Sequence, residues 1–174
     1  MKLIIDGYNL LHASGVLGQG RGLDYLRKSR QALLNCLAES LPPTELPQTT
    51  VVFDATDPPW NAPKQQKHAG MTVVFASHFA DADSYIEELI KQNSAPRRLT
   101  VVSSDHRLHR AAKRRKATPI DSDLWFRELL RQRQSRRSPS GANPGDDQVV
   151  KPEGPFSEGE TQYWLKQFGI EEGK

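Results

Sequence analysis

Five aspartates in this sequence are placed where carboxylates can do chemistry. Three apolar, β-branched runs each end in an acid: LIID at Asp6, VVFD at Asp54 and TVVSSD at Asp105. A fourth segment, FADADSYIEELI, sets Asp81 and Asp83 at the head of a helical pattern. Singly, each has an ordinary explanation, because acids cap helix N–H groups and terminate strands. Gathered at one place they would repel, and a hard cation such as Mg²⁺ or Mn²⁺ relieves that repulsion through oxygen ligands. Such a centre suits phosphoryl transfer, in which the cation activates water and offsets phosphate charge; a second ion about 4 Å away could hold the leaving oxygen. Asn9, three residues past Asp6, offers an amide without further negative charge, suited to orienting water or phosphate.

Other chemistries find less support. The sequence contains no GxxxxGK[ST] and no GxGxxG, and GQGRG at Gly18–Gly22 follows no strand directly. A phosphoaspartyl enzyme would want an acid two residues after Asp6, where Tyr8 stands. His12, His68, His78, His106 and His109 are scattered, and Cys36 is the only cysteine, so no zinc pattern forms. Ser103 and Ser104 have no triad placed around them.

The elements that must position the acids follow from periodicity. Leu3–Ile5 reads as a buried strand, followed by a glycine-rich loop and a helix from Leu23 to Leu41 that Pro42-Pro43 stops. Thr49–Phe53 is a second strand. Residues 55–70, with Trp60 and several prolines, read as a long surface loop of a kind often functional. Met71–Phe75 is a third strand, Ala80–Gln92 a helix, Leu99–Val102 a fourth strand, and His106–Arg115 a helix that Asp105 can cap. Thr118–Ile120 suits a short edge strand, and a last helix starts at Ser122 or Asp123, with Trp125 and Phe126 in the core. Strands alternating with helices predict an α/β fold: a mostly parallel sheet with helices on both faces, its strand C-termini along one edge. Residues 134–155 are rich in Ser, Pro, Gly and Asn and read as a flexible linker. Residues 156–174 read as an amphipathic helix opened by a capping box at Ser157, whose Trp164 and Phe168 are expected to bury against the domain or a partner.

With 174 residues there is room for one domain plus this appendage. No run approaches a membrane span, and Lys2 leads at once into a strand rather than a signal peptide. A lone cysteine among leucines suggests a buried small hydrophobe and a reducing cytoplasm. Net charge is +3, but from Asp146 onward seven acids face three lysines, so the tail carries −4 and residues 1–145 carry +7. A basic body favours a polyanionic partner.

IIDGYNLL, VVFDA, ADADSYIEELI and VVSSD, in that order, resemble the NYN-domain proteins, most closely the bacterial YacP-like branch of the PIN-like nucleases. The likeness spans residues 1–133, the expected nuclease domain. It implies a three-layer α/β/α sandwich and a metal-dependent endoribonuclease acting on single-stranded RNA, with a link to ribosome-associated or messenger RNA cleavage. By this resemblance Asp6 and Asn9 occupy the D-G-Y-N positions, Asp83 the acid of A-D-x-x-I, Asp105 the acid ending the fourth strand, and Asp54 the second-strand acid; Asp81 is extra. Asp6, Asp83 and Asp105 would hold Mg²⁺ or Mn²⁺, Asp54 would assist, and Asn9 would orient water or phosphate.

For RNA itself, the basic run of His106, Arg107, His109, Arg110, Lys113, Arg114, Arg115 and Lys116 starts beside Asp105, and Arg127, Arg131 and Arg133 could extend it. It is either a solvated helix face or a phosphate-gripping surface. Trp60, with Lys64 and Lys67, either stacks a base or anchors a proline-rich loop. Tyr8 is expected to pack on the sheet. The alternatives to an endoribonuclease are an RNA- or ribosome-binding module with a degenerate site, and a metal-dependent phosphatase or DNA nuclease. Oligomeric state is left open.

Overall fold

The computed structural model describes residues 2–15, 23–54, 65–76 and 81–137. Trp60, Lys64, the glycine-rich loop and the tail helix lie outside them.

Six strands form one sheet in the order β3-β4-β2-β1-β5-β6. Their ranges are β1 Lys2–Asp6, β2 Thr49–Phe53, β3 Gln65–His68, β4 Met71–Phe75, β5 Leu99–Val102 and β6 Thr118–Ile120. All neighbouring pairs are parallel except β3 with β4. Because side chains alternate along a strand, a central parallel strand must be apolar on both faces. β1 shows this: Leu3 and Ile5 enter one core and Ile4 the other. The first core is closed by α1 (Gly7–Ala13), α2 (Leu23–Ser40) and α5 (Ser122–Arg137). The second is closed by α3 (Ala82–Gln92) and α4 (His106–Arg114). The result is the expected three-layer α/β/α sandwich. Cys36 is buried and free.

Three elements depart from the sequence reading. Residues 65–68, expected as loop, form β3, an edge strand joined to β4 by a two-residue turn in which Ala69 (φ 47°) and Gly70 (φ 92°) both take positive φ. Gln-Gln-Lys-His has no apolar alternation to announce it, and a polar, lysine-bearing strand suits an exposed edge. Residues 7–13, expected to lead into loop, form α1 directly after β1. The last helix continues to Arg137, four residues into the segment read as linker. Arg136 donates from its guanidinium to the Ser40 carbonyl at the end of α2, which holds that extra turn down.

The chain crosses from β1 to β2 on one side, and after β4 returns to place β5 on the other side of β1. The helices that follow change face at the same point, so the strand order reverses between β1 and β5. Open α/β sheets form their ligand crevice outside the strand C-termini at such a reversal.

Candidate active site

Three of the predicted acids meet at that crevice. Asp6 ends β1 and caps α1, its Oδ1 accepting from Asn9 N (3.1 Å). Its Oδ2 accepts from Ser103 Oγ (3.0 Å). Asp105 follows β5 and caps α4, accepting from Arg107 N (2.5 Å), while its own N–H donates to Ser103 Oγ (3.1 Å). Ser103 therefore bridges the two acids with one hydroxyl. Asp83 arrives from the first turn of α3.

The electrostatics show how closely they gather. Burial pushes the Asp6 carboxyl above its ordinary pKa, and the nearby charge of Asp105 adds to this, against hydrogen bonds from Asn9 and Ser103. Asp83 is pushed up to about 6 by partial burial, by the charges of Asp6 and Asp105, and by a hydrogen bond to the Asp105 carboxyl. Two carboxyls in hydrogen-bond contact cannot both be ionised without a proton or cation between them. All the donors are oxygens, the ligand type Mg²⁺ and Mn²⁺ prefer. Among the described residues no three His, Cys, Asp or Glu side chains are drawn into a finished coordination shell, so the fit is one of donor type and charge.

Asp81 and Asp54 stand differently. Asp81 caps α3, accepting from Ser84 N (2.6 Å), and hydrogen bonds from Ser84, helped by Arg107, hold its carboxyl below the usual range. Its structural task is thus clear. Asp54 follows β2; since Asp6 pairs in register with Val52, Asp54 lies two residues further along the same edge.

Asn9 is more committed than its sequence suggested. Its Oδ1 accepts from Ser104 N (2.9 Å) and Ser122 Oγ (2.7 Å), tying α1 to the β5–α4 connection and to the start of α5. The amide hydrogens on Nδ2 remain for other partners. Ser104 Oγ in turn accepts from Ser122 N (3.3 Å). Sequence reading assigned no role to Ser103 or Ser104 and gave Ser122 only as a candidate helix start; the only signal was their adjacency to Asp105 and to that helix start. Tyr8 packs edge-on against Phe53 (5.3 Å between centroids), as expected, and accepts a hydrogen bond from buried Arg30 (2.7 Å).

The basic run divides. Arg107, expected among the RNA contacts, is part-exposed and braces two helices: its guanidinium makes paired hydrogen bonds to Glu87 (both 3.0 Å), reaches Ser84 Oγ (3.3 Å) and lies 3.6 Å from Asp81. Arg115 donates to the Asn93 carbonyl (3.2 Å). Arg110, Lys113 and Arg114 are exposed on α4. Arg127 pairs with Asp123, Arg131 with Glu128, and buried Arg133 with Glu39 (2.6 Å). Lys67 sits on edge strand β3 and donates to Thr72 (2.8 Å).

Comparison with known proteins agrees with this geometry. No curated protein sequence matches the chain. Among solved structures, Rae1 (YacP) from Bacillus subtilis is similar: 27% identity over 79% of this chain and 79% of that one, with a TM-score of 0.58. A tryptophan-to-leucine mutant of that protein also matches, at 27% identity over 78% and 76% of the two chains, with a TM-score of 0.53. The profile of the YacP-like NYN domain matches residues 3–164, nearly the whole chain, and with the D-G-Y-N turn, the acid-ended strands and the sheet order in agreement, the protein belongs to the YacP-like NYN family.

Proposed function

We propose that this protein is a metal-dependent endoribonuclease that hydrolyses phosphodiester bonds of single-stranded RNA. The observation that carries the reading is the meeting of Asp6, Asp83 and Asp105 at the strand-order reversal, with Asp83 pushed up to about 6 by partial burial and then by its acidic neighbours. A protein tolerates such repulsion where a function needs it.

In this reading Asp6, Asp83 and Asp105 hold Mg²⁺ or Mn²⁺, and Asp54 assists from the neighbouring strand end. The bound cation supplies Lewis acidity, offsetting phosphate charge and easing deprotonation of water. Ser103 fixes Asp6 and Asp105 relative to one another. Asn9, its oxygen already engaged, turns Nδ2–H toward a phosphate oxygen. Water oxygen bonds to phosphorus as the bond from phosphorus to O3′ breaks, and the departing O3′ takes a proton, leaving 5′-phosphate and 3′-hydroxyl ends. Arg110, Lys113 and Arg114 grip the strand's phosphates beside the acids; Trp60 and Lys64 belong to the same proposed surface. The setting is a reducing cytoplasm, and the family resemblance points to ribosome-associated messenger RNA cleavage or RNA processing. Residues up to the end of α5 form the nuclease domain, and the tail is a tethered helix.

The test is incubation of labelled single-stranded RNA with the protein and Mn²⁺, with Asp6→Asn and Asp83→Asn alongside. Cleavage that EDTA stops and both variants lose by at least about a hundredfold is the expected result. Full cleavage by Asp83→Asn would overturn the site assignment. RNA bound but uncut, with ribosomes present, would make the protein a binding module instead.

A further inference from the structure

A second feature lies at the opposite edge of the sheet. The turn before β5 and the end of α4 flank an open surface pocket of about 570 Å³, lined by Ser94, Pro96, Arg97, Arg98, Arg115 and Lys116. Four of these side chains are cationic and none is acidic. Several bases elsewhere are paired with acids, as in Arg107–Glu87, Arg127–Asp123, Arg131–Glu128 and Arg133–Glu39. Arg97, Arg98 and Lys116, by contrast, have no ion pair among the described residues, and Arg115 spends one nitrogen on a neutral carbonyl. The end of a helix attracts bases through its dipole, which accounts for Lys113 and Arg114. It does not account for Arg97 and Arg98, which come from another element, a short 3-10 turn at Pro96–Arg98. Convergence of unpaired like charges on one concavity from two elements calls for an anion.

Distance decides which anion. β5 runs Leu99–Val102 from this pocket toward Asp105, about 13 Å at the usual rise per residue. α4 covers the same span with nine residues, again about 13 Å. A phosphate in the pocket is therefore not the one being cut. Exposed Arg110, Lys113 and Arg114 lie on the helix between the two ends, at a spacing of three and four that sets them on one side of it.

We propose that this pocket is a distal anchor for the RNA substrate, holding a backbone phosphate beyond the scissile bond and setting the minimum length of strand the protein binds well. The anchor rests on the endoribonuclease reading for its substrate, and the test separates the two. Binding of labelled single-stranded RNA is measured by fluorescence anisotropy in EDTA, using strands of about five and about twenty nucleotides. Cleavage of the short strand is measured separately with Mn²⁺. The variants are Arg97→Gln/Arg98→Gln and Lys116→Asn, the latter suited to the left-handed backbone at this position (φ 63°). Lys28→Glu on α2, exposed and remote, is the control for net charge.

The expected result is that each pocket variant binds the long strand about tenfold more weakly, with a salt slope shallower by about 0.7 for each phosphate no longer neutralised. Short-strand cleavage should not change. Long-strand affinity and slope equal to wild type or to Lys28→Glu would overturn the anchor, as would a wild-type protein that binds no RNA. If RNA is bound through the pocket but never cut, the anchor stands and the nuclease reading fails. If RNA is cut while the pocket variants bind normally, the reverse holds.

Discussion

Asp83 shows how a single residue carries the conflict between stability and function. Its pKa of about 6 in the folded chain lies above the ordinary 3.8, so between those values the folded state holds more proton than the unfolded one. Stability therefore falls as pH rises through that window, and the cost remains in place above it. Screening by water at this half-exposed site keeps the cost to about 1 kcal/mol. Asp83→Asn should consequently raise the Tm of the cation-free protein by about 2–4 °C at pH 8 and leave it unchanged at pH 4. Calorimetry in EDTA at both pH values checks this. An unchanged Tm at pH 8 would mean that the three carboxylates do not strain one another. Asn9 carries a second lesson at this scale. Its oxygen holds three elements together through Ser104 and Ser122, so a loss of activity on truncating it reports positioning as much as contact with RNA.

Among the elements, the junction of β1 with α1 matters most, since it points Asp6 into the crevice. The helix starts without a connecting loop, and Gly7 is its first residue. A Cβ on Gly7 would lie 2.4 Å from Phe53 Cε1, inside the contact distance of any two carbons. Phe53 in turn stacks on Phe75 (5.9 Å) and meets Tyr8, so it has little room to retreat. Gly7→Ala is expected to cost about 2 kcal/mol, read as a lower urea midpoint with an unchanged slope. Phe53→Leu in that background should recover part of the loss. No loss on Gly7→Ala would mean that α1 can shift outward, and that Asp6 is held less firmly than its bonds to Asn9 and Ser103 suggest. α3 and α4 are positioned by different means. Asp81 and Asp105 cap them, and Arg107 joins them through Glu87.

At the scale of the whole molecule, the two cores and the sheet order determine where function can sit. Acids collect at the strand C-termini and unpaired bases at the opposite edge, so one face of the sandwich, along α4, connects them. The domain's end is also a property of the whole, because the last turns of α5 are tied to α2. Arg133 pairs there with Glu39, and Arg136 donates to the Ser40 carbonyl. A chain ended after Arg137 should melt about 3 °C above one ended after Arg133, the equivalent of one net hydrogen bond of about 1 kcal/mol. Equal melting temperatures would place the end of the stable helix at Arg133. Among the described residues no helix is long and apolar enough to cross a membrane.

What the sequence determined by itself was whatever depends on local pattern. Apolar runs such as Leu3–Ile5 and Val51–Phe53 can only be buried strands, and an acid at the end of each must lie on one edge once the strands are parallel. Hence the fold class, the meeting of Asp6, Asp83 and Asp105, and the capping by Asp105 were legible without coordinates. β3 was not, because a polar edge strand is specified by the open edge of β4 rather than by its own residues. Nor was the division of labour among the basic side chains. Which arginine faces Glu87, which is buried beside Glu39, and which are left unpaired around the cavity at Arg97 and Arg98 depend on which helices pack side by side. Charge along a sequence is a local property, whereas pairing between charges is a matter of distance, and only the tertiary structure sets distance between residues far apart in the chain.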